Sequence, residues 1–110
     1  MSEFESRRFI EIVEKADKSR ELNMLLRSIA DAEIYSRECR FEDVVDSIIG
    51  MGIAVQELVY GVIDLYKKGE VSDDDRHRFI ITVENMIRGC TSRVRDNLES
   101  RCSCKLYPRG

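Results

Sequence analysis

The chain has 110 residues, room for one domain but not for a second core of ordinary size. Its 43% hydrophobic content excludes global disorder, and the absence of Trp with only 7% aromatic residues makes the core aliphatic. The net charge of −3 argues against general coating of nucleic acid, although residues 1–75 carry −8 and residues 76–110 carry +5.

The only proline, Pro108, lies within the last three residues, so nothing before it forces a helix to break. No regular series of Gly, Pro and Asn turn signals divides the chain into short strands, which excludes an all-β fold. Arg outnumbers Lys 13 to 5, and Gln occurs once, at Gln56. High charge with few amides is a heat-stable composition and points toward a thermophilic source, where intracellular disulfides are tolerated. The N-terminus, Met1-Ser2-Glu3-Phe4-Glu5, is acidic and has no apolar core of a secretory leader. A cytoplasmic location is expected.

The first helix is expected from Glu3 to about Ala16, with Phe9, Ile12, Val13 and Ala16 on one face. Continued, that rhythm meets Arg20, Asn23 and Arg27, while the apolar set restarts at Leu22, Leu25, Leu26 and Ile29. The phase slip predicts a break at Asp17-Lys18-Ser19, with Asp17 or Ser19 capping the next helix. A single kinked helix of about 35 residues is the alternative. The second helix runs from about Arg20 to Glu38, and Cys39-Arg40 forms a tight joint. The third spans Phe41 to Lys68, opening on Glu42 and Asp43, which suit its positive end.

This third helix is the most apolar. Val44, Ile48, Met51, Val55, Leu58, Val62 and Leu65 follow a 4-3-4-3-4-3 spacing, a heptad seam three repeats long. A second row, Val45, Ile49, Gly52, Val59, Ile63 and Tyr66, broadens the apolar face. Glu57 and Asp64 interrupt the segment, so a buried soluble helix is expected rather than a membrane span. Lys67-Lys68-Gly69 is a stop, and Ser72 followed by Asp73-Asp74-Asp75 starts a fourth helix that reaches about Arg101. Its buried set should be Phe79, Ile80, Val83, Ile87, Cys90, Val94 and Leu98, with Gly89 weakening it by about 1 kcal/mol. Short joints make consecutive helices antiparallel neighbours. The expected fold is all-α, a three- or four-helix antiparallel up-and-down bundle with a long central helix. Residues 1–101 form the domain and 102–110 an irregular basic tail.

The four cysteines are the most specific chemical feature. In the antiparallel arrangement Cys39 lies near Cys102 and Cys104, with Cys90 about 18 Å away in the core. A disulfide from Cys39 to Cys102 or Cys104 would close a loop of some 60 residues, contributing about 4 kcal/mol. Free thiols on the tail are the alternative. Metal binding is a third, although Cys-x-Cys is shorter than the usual zinc spacing and no cofactor is implied. His77 stands alone in Asp75-Arg76-His77-Arg78, so no triad or two-histidine site can form. Glu57 and Asp64, seven residues apart near Gly50 and Gly61, are expected to face solvent or permit another helix to approach, with paired-carboxylate acid–base chemistry as the alternative. Arg88, Arg93, Arg95, Arg101 and Lys105 make the best anion surface, but their helical angles diverge.

The joint Tyr35-Ser36-Arg37-Glu38-Cys39-Arg40-Phe41-Glu42-Asp43 resembles the turn in tetratricopeptide hairpins and in nucleotidyltransferase-associated helical bundles. The Arg that ribonucleases among those bundles carry ahead of a His would fall at Glu70, Val71 or Ser72, so that motif is absent.

These features describe a non-enzymatic helical interaction module that pairs with itself, two copies covering apolar rows that one short bundle leaves open. A further protein partner is the next expectation. A nucleic-acid-associated regulator using the basic C-terminal third is the alternative, and a thiol or metal function of the tail is the third.

Overall fold

A computed structural model describes residues 3–102, with side chains from residue 6 onward. Four helices account for nearly all of it: α1 (Glu3–Lys15), α2 (Ser19–Arg37), α3 (Phe41–Lys67) and α4 (Asp73–Arg101). The body measures 59 × 24 × 17 Å. At 1.5 Å per residue, α3 and α4 are about 40 and 43 Å long and form most of its length.

All three joints use one device. Asp17, Cys39 and Gly69 each adopt positive φ, at 58°, 59° and 75°. After each, an N–H reaches back five residues, Lys18 to Val13, Arg40 to Tyr35 and Glu70 to Leu65. The preceding N–H reaches back three, Asp17 to Glu14, Cys39 to Ser36 and Gly69 to Tyr66. This is the Schellman ending, which satisfies carbonyls the helix leaves open.

Asp17 therefore closes α1 and does not cap α2. The α2 N-cap is Lys18, which offers no side-chain hydrogen bond, so the capping expected of Asp17 or Ser19 does not occur. The expected cap of α4 does, with the Asp75 N–H donating to Ser72 Oγ over 3.1 Å.

The break at residue 17 does not turn the chain back. Along α4, Arg8 meets Asp75, Phe9 stacks on Phe79, Cys90 lies against the Ile29 carbonyl and Asn97 bonds Ser36. Positions on α1 and α2 thus rise together with positions on α4. The two helices run in tandem in one direction, and α3 runs opposite to both α2 and α4. The antiparallel α1–α2 pair expected from their short joint is corrected to this arrangement. The fold is a three-layered helical bundle whose first member is the interrupted pair α1–α2, with α3 as the long central helix.

The core is aliphatic. Leu25, Ala32, Met51, Ala54, Leu58, Val62, Val83, Cys90 and Val94 are buried along its middle. At the α1 end, the rings of Phe9 and Phe79 stack at 4.5 Å with 18° between planes, and Ile12 and Val13 are buried beside them. At the opposite end, Cys39 and Cys102 form a disulfide with a Cα–Cα distance of 5.7 Å. Under it, buried Ser36 accepts from Asn97 Nδ2 at 3.0 Å and donates to the Glu33 carbonyl at 2.8 Å.

Candidate interaction face on helix α3

Three arcs divide α3 around its axis. The first carries small residues, Ser47, Gly50, Ala54 and Gly61. A Cβ on Gly50 would fall 2.9 Å from Ser28 Oγ, and one on Gly61 would fall 3.2 Å from Ala16 Cβ. Here α2 and the α1–α2 joint lie close against α3, the approach that Gly50 and Gly61 had suggested. The second arc, Val44, Met51, Leu58, Val62 and Leu65, points into the bundle and is 5% exposed or less throughout.

The third arc faces outward. Val45, Ile48, Ile49, Ile53 and Tyr60 are 54, 43, 56, 53 and 58% exposed. Gly52 and Gln56 lie on the same arc and are exposed, while Val59 and Ile63 are half-buried at its inner margin. From Val45 to Ile63 no charged side chain lies on this arc, over about 27 Å of helix. The only polar side chains are Gln56 and Tyr60, and they satisfy each other, Gln56 Nε2 donating to Tyr60 Oη over 3.2 Å. Along that span the charges of α3 sit to one side: Glu57 is paired with Lys18 at 3.2 Å and Asp64 with Lys68 at 3.0 Å.

This corrects the interface expected from the heptad seam. Five of its seven residues, Val44, Met51, Leu58, Val62 and Leu65, belong to the chain's own core, and Val55 is half-buried. Only Ile48 is open. The unpartnered face takes Val45, Ile49 and Gly52 from the second row and adds Ile48, Ile53, Gln56 and Tyr60, while Tyr66 of that row lies under the Arg76 guanidinium at 4.5 Å. Two equally apolar rows cannot be ranked from spacing alone. The small residues beside the seam settle which faces inward, because they let α2 approach.

The other sites read from the sequence are more dispersed. Cys39 and Cys102 are joined, whereas Cys104 and Lys105 lie outside the described residues. Cys90 is a free thiol, fully buried, and burial pushes its pKa up, which keeps it protonated and unreactive. Arg88 pairs with Glu84 at 2.5 Å and Arg93 with Glu33. Arg95 and Arg101 are exposed, without an ion-pair partner among the described residues. The structure does not gather these arginines into one cationic surface. His77 is exposed, while Asp73, Asp74 and Asp75 are bound to Arg76, Arg78 and Arg8. Among the described residues no three His, Cys, Asp or Glu side chains converge as a metal site.

Sequence reasoning missed a groove of about 520 Å³ between α1 and α4. Phe9, Ile12, Phe79 and Met86 supply apolar lining, and Arg8, Arg78, Thr82 and Asn85 supply polar lining. Both guanidinium groups are already neutralised, Arg8 by Asp75 at 2.6 Å and Arg78 by Asp74 at 3.0 Å. The hydroxyl in the lining, Thr82 Oγ1, donates to the Arg78 carbonyl at 2.8 Å, and the Asp75 carboxylate is held by Arg8.

By length and composition α3 is apolar enough to cross a membrane, with 33% of its most apolar window buried by the rest of the chain. No family model, no curated protein and no solved structure matches this chain.

Proposed function

We propose that this chain is a non-enzymatic helical interaction module that pairs with a second copy of itself through the outer face of α3. One observation carries the reading: a charge-free apolar stripe stands exposed on the helix that also organises the core. Its five large side chains expose about 500 Å², at the upper end of the patches ordinary monomers leave open. With Gly52, Gln56, Val59 and Ile63, two copies would bury roughly 1,200 Å², the lower bound for a specific interface.

A second copy suits the face better than a lipid surface does. Interfacial helices flank their apolar stripe with Lys and Arg, whereas Asp46 and Asp64 edge this one. The reading keeps the protein in the cytoplasm of a heat-adapted cell, a setting in which the disulfide would persist.

Sedimentation equilibrium at 1–100 µM, on the order of affinities such an interface supports, tests the pairing. The expected result is a dimer that the double variant Ile49→Glu, Ile53→Glu converts to a monomer of unchanged helicity. A wild-type monomer across the range overturns the proposal. So does flotation of the wild type with phosphatidylcholine–phosphatidylglycerol vesicles in place of dimerisation.

A further inference from the structure

Resting on the pairing proposed above, we infer its geometry: the two α3 helices pack antiparallel about a two-fold axis near Ile53 and Gln56, with their closest contact at Gly52.

Gly52 is the first observation. A glycine in the middle of a helix costs stability relative to alanine, so its presence needs a reason. Gly50 and Gly61 have theirs in the close approach of Ser28 and Ala16. Gly52 has none among the described residues, where a Cβ would meet nothing within 4 Å. It lies among Val45, Ile49 and Ile53, where a bare backbone leaves a notch in the outward face. A second helix can enter that notch, as small residues permit wherever helices approach closely.

Charge supplies the direction. Glu42 lies at one end of the stripe and Lys67 at the other, both exposed. Stepped at 100° per residue, both fall on the outward arc. Neither forms an ion pair among the described residues, whereas Asp43 is held by Arg40 and Lys68 by Asp64. Antiparallel pairing centred between Ile53 and Gln56 sets Glu42 of each copy beside Lys67 of the other. It sets Ile49 opposite Tyr60, and Gly52 opposite the turn that carries Gln56. Parallel in-register pairing would instead set Glu42 against Glu42 and Lys67 against Lys67. Antiparallel order also brings the positive end of each helix beside the negative end of the other.

The span is compatible. Glu42 and Lys67 lie about 19 Å on either side of the centre. At the shallow crossing of about 20° found in bundles, the helices diverge by about 7 Å there, within reach of a Glu and a Lys side chain.

Two sets of variants, read by sedimentation equilibrium with far-UV helicity as the folding control, test the geometry. Gly52→Leu adds apolar surface, so mere stickiness would tighten association. Filling the notch should instead weaken dimerisation about tenfold or more, without loss of helicity. Glu42→Lys and Lys67→Glu should each weaken it severalfold at low salt, and the double swap should return it to within about twofold of wild type. Neutral or tighter association of Gly52→Leu overturns the close contact, and failure of the double swap to recover overturns the antiparallel order. A wild-type dimer with either failure leaves the pairing standing and removes this geometry. A wild-type monomer removes the pairing itself.

Discussion

Position 39 carries two opposing contributions that a pair of variants separates. Cys39 holds the disulfide to Cys102, across a sequence separation of 63, and it does so at φ 59°. Closing a loop of that size restricts the unfolded chain by about 4 kcal/mol in the chain-entropy account. Left-handed backbone at a residue with a Cβ costs roughly 1 kcal/mol, a penalty glycine escapes. Cys39→Ala should lose the first contribution and keep the second, lowering stability by about 4 kcal/mol. Cys39→Gly loses the same bridge but relieves the backbone, so it should be about 1 kcal/mol more stable than Cys39→Ala. For a domain of this size the alanine variant melts roughly 15–30 °C below wild type and the glycine variant recovers about 4–8 °C of that. Position 39 is the one to change, because replacing Cys102 would leave Cys104 two residues away in sequence to pair with Cys39. The assay is thermal unfolding by circular dichroism at one fixed protein concentration, since association would itself shift the melting point. An alanine variant as stable as wild type refutes the crosslink's contribution. A glycine variant no better than alanine refutes the backbone argument.

Asp17 repeats the same backbone conformation without a crosslink, so Asp17→Gly should raise stability by about 0.5–1 kcal/mol, read as a higher guanidinium midpoint. Ser72→Ala removes the hydroxyl that accepts the Asp75 N–H and should lower stability by about 1 kcal/mol in the same titration.

The positions of the helices were legible because the signals that mark them are local. The phase slip between Val13 and Leu22 marked the first joint, and Ser72 with three aspartates marked the last helix. The chemistry of the joints was legible at only one of three. Gly69 announces a left-handed residue, but Asp17 and Cys39 adopt the same φ with side chains that disfavour it. The Schellman bonds hold all three joints; beyond them Cys39 is tied to Cys102 and α1 meets α4 through Phe9–Phe79 and Arg8–Asp75, contacts that local sequence does not announce. The tandem course of α1 and α2 was hidden for the same reason. A break tells where a helix stops, not where the chain goes next. That was decided by Phe79 and Asp75, more than 60 residues further along, which receive Phe9 and Arg8. The cysteine pair was partly legible, since antiparallel α3 and α4 brought Cys39 to the end of α4. Geometry then had to choose between Cys102 and Cys104.

The candidate face shows how far apolar patterning can reach. Counting hydrophobic residues on α3 indicated more surface than a short bundle covers, and the excess is real. Counting could not say which row was the excess, because Val44 and Val45, or Ile48 and Ile49, are alike in hydrophobicity. The discriminating information lay in the least hydrophobic members of the helix. Gly50, Ala54 and Gly61 admit α2 on one side, and this rotates the seam inward and the second row outward. Once that rotation is set, Gly52 is left as the one glycine of α3 with no neighbour among the described residues. A residue that costs helix stability and meets no neighbour among the described residues suits the contact with a second copy proposed above. The proposed contact would be lost by adding a side chain there rather than by removing one.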